Sequence, residues 1–288
     1  MNFDPILIIN GEPNSIFSEI LFKSLRKVKI KKPIILISSN KILKLQMKKL
    51  NYEFKIKILD QNNLNNYKLD NKSINLINIE YYQNKAFQNI SKKSSKFIKS
   101  CFKEAFKLIK KYNIKKVING PISKKHFLKK KHLGITEYIS DQFSKDNACM
   151  LIFNKNLSVS TITTHLPLKL VTKNINQKKI KDKIKLIKAF YIKQFNKNPK
   201  IGVLGLNPHC ESILKYNEDD KIIRPLIRKM KLMKYKISGP YSADTIFLKN
   251  NRKKFDVIVG MYHDQVLTPI KTLYEYDAIN VTLGLPFI

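Results

Sequence analysis

Glycine is scarce in this chain, with eight residues in 288. No G-x-G-x-x-G follows the first strand-like segment and no phosphate-cradling P-loop occurs anywhere. The first turn, "GEPNS" from Gly11, lacks the glycines of a standard dinucleotide turn. Cysteine is as sparse. Cys101, Cys149 and Cys210 are odd in number and far apart, which excludes a disulfide framework and a Cys-x-x-Cys zinc site. They read as reduced thiols of a cytoplasmic protein. No long uncharged apolar run is present, which excludes a membrane span. The opening "MNFDPILIING" lacks the basic start and small-residue cleavage site of a secretory signal.

Acidic residues are outnumbered, 21 against 56 lysines and arginines, leaving a net charge of +35. Such an excess attracts polyanions and makes a basic nucleic-acid-binding protein one reading of the chain. Yet arginine, the preferred fork for base edges and phosphates, occurs only as Arg26, Arg224, Arg228 and Arg252. The charge is lysine spread along the whole length. Lysine, asparagine, isoleucine, tyrosine and phenylalanine all have codons rich in A and T, so a base-composition bias accounts for much of it. No specific nucleic-acid partner is expected.

What is present is an alternation. "PILIIN", "KPIILISS" and "EFKIKILD" read as strands separated by amphipathic helices. An asparagine-rich stretch from 62 to 78 reads as loop with a short strand. A long helix is expected from about 85 to 112, with Phe97, Ile98, Cys101, Phe102, Ala105, Phe106 and Ile109 at helical spacing. "KKVINGPISK", "CMLIFN", "LSVSTITTH", "KIGVLGLNPH" and "FDVIVGMYH" supply further strands. The alternation indicates an α/β protein with a largely parallel sheet, in which ligands bind beyond the carboxyl ends of strands.

Three of the five histidines terminate strands: His165 in "TITTHLP", His209 in "GLNPH" and His263 in "GMYHDQ". Taken singly, each reads as a strand cap or a satisfied buried imidazole. Together they form a common donor set for a divalent metal, with Asp264 placed to orient an imidazole or bind substrate. His126 and His132 sit among lysines and read as exposed. Thr136 alone would be a helix N-cap, Lys271 one more surface lysine, and Asn280 a turn or strand-end residue.

The motifs "GEP", "NGPISK", "GITEYIS", "TITTHLPLKLV", "GLNPHCE", "GPYSADTIF", "GMYHDQVLTPIK" and "INVTLGLPFI" occur in order over nearly the full length. In this the chain resembles the 4-hydroxythreonine-4-phosphate dehydrogenases of pyridoxal phosphate biosynthesis. The resemblance implies an isocitrate/isopropylmalate dehydrogenase-like α/β fold of two subdomains around a central cleft. Residues 1–125 would form the first, joined by 270–288, and residues 126–269 the second. It implies a homodimer whose active site is completed across the interface. It also implies NAD as oxidant and a divalent metal, Zn²⁺, Mg²⁺ or Co²⁺, on His165, His209 and His263. Thr136, Lys271 and Asn280 would bind substrate, with Lys271 also catalytic, and Asp244 falls in a motif near the site. No residue is assigned to the dinucleotide.

Three departures accompany the resemblance. Ile135 stands where the family's Gly-His-Thr-Glu motif has histidine. "CESILKYNEDD" replaces a glycine-rich loop after His209. Family members continue past the position of Ile288 with a substrate-binding arginine and a His-Gly-Thr-Ala loop, so the chain reads as truncated there. An inactive remnant of the enzyme is therefore one alternative. A phosphate acyltransferase of the same general fold is another, against which the three histidines argue.

Overall fold

The computed structural model describes residues 4–128, 132, 134–143, 148–213 and 216–288. The chain divides into two compact units, Met1–Tyr138 with Pro286–Ile288, and Ile139–Leu285.

In the first unit, strands β1 (Ile6–Ile9), β2 (Ile34–Ser38), β3 (Ile56–Ile58), β4 (Ile74–Asn78) and β5 (Lys116–Asn119) form one sheet in the order β3-β4-β2-β1-β5. Every pairing in it is parallel. Parallel strands are covered on both faces, which is why β2, "IILIS", is buried at all five positions rather than alternating. Ile8, Ile34, Leu36 and Leu76 pack with Phe17, Phe22 and Leu43 of the helices Phe17–Lys27 and Asn40–Lys49. Leu7, Ile9, Ile35 and Ile37 point the other way and are also fully buried. The long helix runs Ser94–Tyr112 and packs on β1 and β2. It starts later than its apolar spacing suggests, and residues 62–78 resolve into a short 3₁₀ turn and β4.

The β1 turn is closed. A Cβ on Gly11 would lie 2.0 Å from the Pro121 carbonyl oxygen, which accepts the Glu12 N–H at 2.7 Å. Glycine here serves backbone-to-backbone packing, and the turn does not have the build of a pyrophosphate cradle.

In the second unit, β6 (Cys149–Phe153), β7 (Ser158–Thr161), β8 (Ile201–Leu204), β9 (Ile237–Tyr241), β10 (Val257–Gly260) and β11 (Ile279–Leu283) make a sheet ordered β11-β6-β7-β10-β8-β9. β7, β10, β8 and β9 are mutually parallel, while β6 runs antiparallel to both β7 and β11. The helices Gln177–Phe195 and Arg224–Leu232 cover one face through Ile180, Ile184, Ile187, Leu226 and Met230. The helix His263–Tyr274 covers the other through Val266, Leu267 and Ile270.

The unit boundaries differ from the expected 125/126 and 269/270. Residues 270–285 lie with the second unit, because β11 pairs along five residues with β6 and sends Val281 and Leu283 into its core. Only Pro286–Ile288 return to the first unit, where the Ile288 carbonyl accepts the Val117 N–H at 2.7 Å. Among the described residues no helix is long and apolar enough to cross a membrane.

Candidate active site

The four parallel strands of the second sheet all end on one edge, and the polar residues of that edge follow from the strand order. β7 leads to His165, β10 to His263, β8 to His209 and β9 to Asp244. Because β10 lies between β7 and β8, three histidines separated by 98 residues of chain occupy adjacent strand ends. The rings of His165 and His263 lie 5.5 Å apart between centroids, tilted by 39°.

Two imidazoles face carboxylates. His263 Nδ1 is 2.6 Å from Asp264 Oδ1. His209 Nδ1 is 4.0 Å from Asp244 Oδ2. The Asp244 carboxyl is held below the usual range, first by the Ser242 hydroxyl, which donates to it at 2.5 Å, and then by His209. A carboxylate at Nδ1 fixes the ring and leaves Nε2 to meet a cation, the common second-sphere arrangement of histidine metal sites. The donor chemistry therefore fits a divalent metal. Among the described residues, however, no group of three His, Cys, Asp or Glu side chains that could hold a metal forms within the single chain. The structure joins His165 to His263 and sets His209 with Asp244.

His209 and Cys210 both adopt left-handed backbone, with φ of 55° and 61°. Such a conformation is costly outside glycine and needs fixing from around it. Asp219, fully buried, accepts the Leu206 and Asn207 N–H groups at 2.8 and 3.1 Å and the Asn207 amide at 2.8 Å. Arg224 donates to the Cys210 carbonyl at 3.1 Å and to Asp220 at 2.8 Å. A Cβ on Gly205 would sit 2.6 Å from Asp219 Oδ1, so this turn admits glycine alone. Asp219 was missed in the sequence, where it is one acid in the run "NEDD". Nothing local marks it as the buried member.

The remaining expected residues are placed as follows. Lys271 is exposed on the helix that His263 begins, eight residues on and so about 12 Å along its axis. Asn280 is exposed on the edge strand β11. Thr136 is buried in the first turn of the helix Ile135–Gln142, which starts one residue before it, so it is not the N-cap. His126 and His132 are half-buried rather than exposed, and His132 packs edge-on against Tyr138. All three cysteines are buried and free. Burial pushes each thiol above its ordinary value, which disfavours the thiolate a metal needs.

Residues 29–288 match the family model described as "Pyridoxal phosphate biosynthetic protein PdxA". A 4-hydroxythreonine-4-phosphate dehydrogenase of Sulfurihydrogenibium sp. is 35% identical over 288 residues, covering 98% of this chain and 87% of the relative. A D-threonate 4-phosphate dehydrogenase of Pectobacterium atrosepticum is 31% identical over 65% of this chain and 59% of its own length. The crystal structure of 4-hydroxythreonine-4-phosphate dehydrogenase from Klebsiella pneumoniae superposes with a TM-score of 0.80 at 25% identity, covering 98% of this chain and 88% of that one. With a family model matched over most of its length and a near full-length relative, the chain belongs to the PdxA family of pyridoxal phosphate biosynthetic proteins.

Proposed function

We propose that this chain oxidises 4-phosphooxy-L-threonine with NAD to 2-amino-3-oxo-4-(phosphooxy)butanoate, which decarboxylates to 3-amino-2-oxopropyl phosphate on the route to pyridoxal 5'-phosphate. The observation that carries this reading is the run of three neighbouring parallel strands, β7, β10 and β8, whose following turns lead to His165, His263 and His209. Family membership supplies the reaction class.

His165, His209 and His263 would hold a divalent ion, Zn²⁺, Mg²⁺ or Co²⁺. Bound there, such an ion lowers the pKa of the substrate hydroxyl and stabilises negative charge developing on oxygen. Asp264, 2.6 Å from Nδ1, would hold the His263 ring, and Asp244 stands 4.0 Å from His209 Nδ1. Lys271 supplies a cation for the anionic groups of the substrate and a proton donor within its reach. The Asn280 amide and Thr136 hydroxyl serve as hydrogen-bond partners for substrate. NAD is the hydride acceptor of the proposed reaction. The closed β1 turn does not fit a standard dinucleotide cradle, so no residue of this chain is assigned to it.

The working form is a homodimer with a shared site, in the cytoplasm and without a nucleic-acid partner. Lys271 and Asn280 are exposed in the single chain, which suits residues that act in the site of a second copy. Mixing His209→Ala and Lys271→Ala proteins tests the sharing. Restored turnover in the mixture supports it, and a mixture as inactive as its parents overturns it. The reaction itself is tested by NADH formation from 4-phosphooxy-L-threonine with each metal added. Folded, metal-loaded protein that gives no turnover would return the chain to an inactive remnant.

A further inference from the structure

We infer that Gln265 is a positioning residue that sets the spacing between the His263 and His209 turns, an inference that rests on reading this edge as a metal site. Gln265 lies in the first turn of the helix His263–Tyr274, yet its side chain does not serve that helix. Only 9% of the residue is exposed. Its Oε1 accepts the Met261 N–H at 2.7 Å, and its Nε2 donates to the Gly205 carbonyl at 2.7 Å. The amide orientation is set by its partners, since a backbone N–H only donates and a carbonyl only accepts.

The two partners are the residues from which the histidine turns depart. Met261 precedes His263 by two residues, and Gly205 opens the turn to His209. Each partner is tied onward. The Met261 carbonyl accepts both the N–H and the hydroxyl of Thr163, at 3.1 and 2.8 Å, two residues before His165. The residues after Gly205 are held by Asp219. A continuous path of buried hydrogen bonds thus runs Thr163–Met261–Gln265–Gly205 and touches the turn of every histidine.

Buried apolar side chains stand beside the amide: Val266, Leu204 and the Gln265 Oε1 all approach the same point at Gly260. A purely packing role there would be filled by an apolar side chain. Such a residue would leave the Met261 N–H and the Gly205 carbonyl buried without partners. Glutamate would keep the acceptor but turn an oxygen toward the Gly205 carbonyl. The amide is the one group of this size that satisfies both turns at once.

The test uses Co²⁺ as probe on dialysed, full-length protein, followed through the visible absorption of the bound ion. Gln265→Met and Gln265→Glu are each expected to weaken Co²⁺ binding by about 10- to 100-fold and to change the absorption bands. His209→Ala and His263→Ala serve as controls. If both Gln265 variants bind with the parent affinity and spectrum while the histidine variants lose the ion, Gln265 only supports the fold and the inference is overturned. If the histidine variants themselves keep full affinity, the metal reading fails instead. Should the Gln265 variants not fold, hydrogen exchange of the parent with and without Co²⁺ decides. Slower exchange of the Met261 amide and the Gln265 side-chain amide on Co²⁺ binding supports the brace, and exchange that the ion leaves unchanged rejects it.

Discussion

The two sheets are built by the same rule and finish differently. In the first unit the carboxyl edge ends in amides, hydroxyls and one acid: Asn10, Glu12, Ser39, Asn78 and Asn119. These groups are mostly buried and turned toward the protein. Glu12 accepts the Ser94 hydroxyl at 2.6 Å, and the Ser39 hydroxyl donates to the Tyr81 carbonyl at 3.1 Å. Gln46, fully buried, donates to the Pro13 and Ala86 carbonyls. In the second unit the edge ends in imidazoles and carboxylates that remain half or fully exposed. Strand ends in a parallel sheet offer a place for a ligand in both cases. A polar group whose hydrogen bonds are made inside the protein holds the turn. One with a ring nitrogen left facing outward can do chemistry.

The largest effect that separates the two edges is expected from His263→Ala. Losing an imidazole of the proposed metal site should lower turnover by more than about a thousand-fold, since several kcal/mol of charge stabilisation would depend on it. The thermal unfolding midpoint should move little, because the ring is only half-buried. Steady-state kinetics and calorimetry on the same preparation measure both. A large drop in midpoint would place His263 with the structural groups of the first edge.

The converse change belongs in the first unit. Phe102 is fully buried against Phe106, Phe127 and Tyr138, with ring centroids 5.5 to 5.8 Å away. Phe102→Ala should cost about 3–5 kcal/mol of stability, read by urea unfolding, and should leave Co²⁺ affinity unchanged. Weakened Co²⁺ binding in folded Phe102→Ala protein would show that the two units do not divide fold from chemistry in this way.

How much of this was legible in the sequence depended on range. The strands and helices followed from apolar periodicity, and the histidine strand ends from their position after "VSTI", "GVLG" and "VIVG". Local signals carried both. The strand order was not legible, because β10 sits between β7 and β8 through long-range pairing that no local pattern encodes. Hence nothing in the sequence revealed that His165 and His263 would meet while His209 faces Asp244. The same applies to β11, whose antiparallel pairing with β6 no local pattern encodes. Gln265 and Asp219 were the least visible. Their roles depend on being buried, and a polar residue in a polar run gives no sign of that. His126 and His132 erred the other way, half-buried although surrounded by lysines.

A smaller change sharpens the second edge. Asp264 is exposed and touches His263 Nδ1, so Asp264→Asn should weaken Co²⁺ binding by about 10- to 100-fold without altering stability. The same substitution at Asp70 of the first unit, an exposed acid whose oxygen accepts the Lys72 N–H, should leave metal affinity untouched. Equal effects from the two would remove the special role of the carboxylate at the histidine.

The smallest effect is a test of burial beneath the second edge. Tyr191 packs on β7, and its hydroxyl donates to the Ser158 hydroxyl at 2.9 Å. Tyr191→Phe should cost about 1 kcal/mol near neutral pH, the net worth of one buried hydrogen bond. Burial pushes the phenol up to about 12, from an ordinary value of 10.0. The folded state therefore keeps a proton that the unfolded chain gives up first. The stability this confers is present below the unfolded value and is lost as pH rises from there through the folded one. Lysines titrate in the same window, so the parent alone is uninformative. The difference between parent and Tyr191→Phe isolates the phenol. It should shrink, and then reverse, between about pH 10 and about pH 12 in urea unfolding. A difference that stays constant across that window would mean the phenol ionises as freely in the folded protein as in the unfolded chain, and that the underside of β7 is open to water.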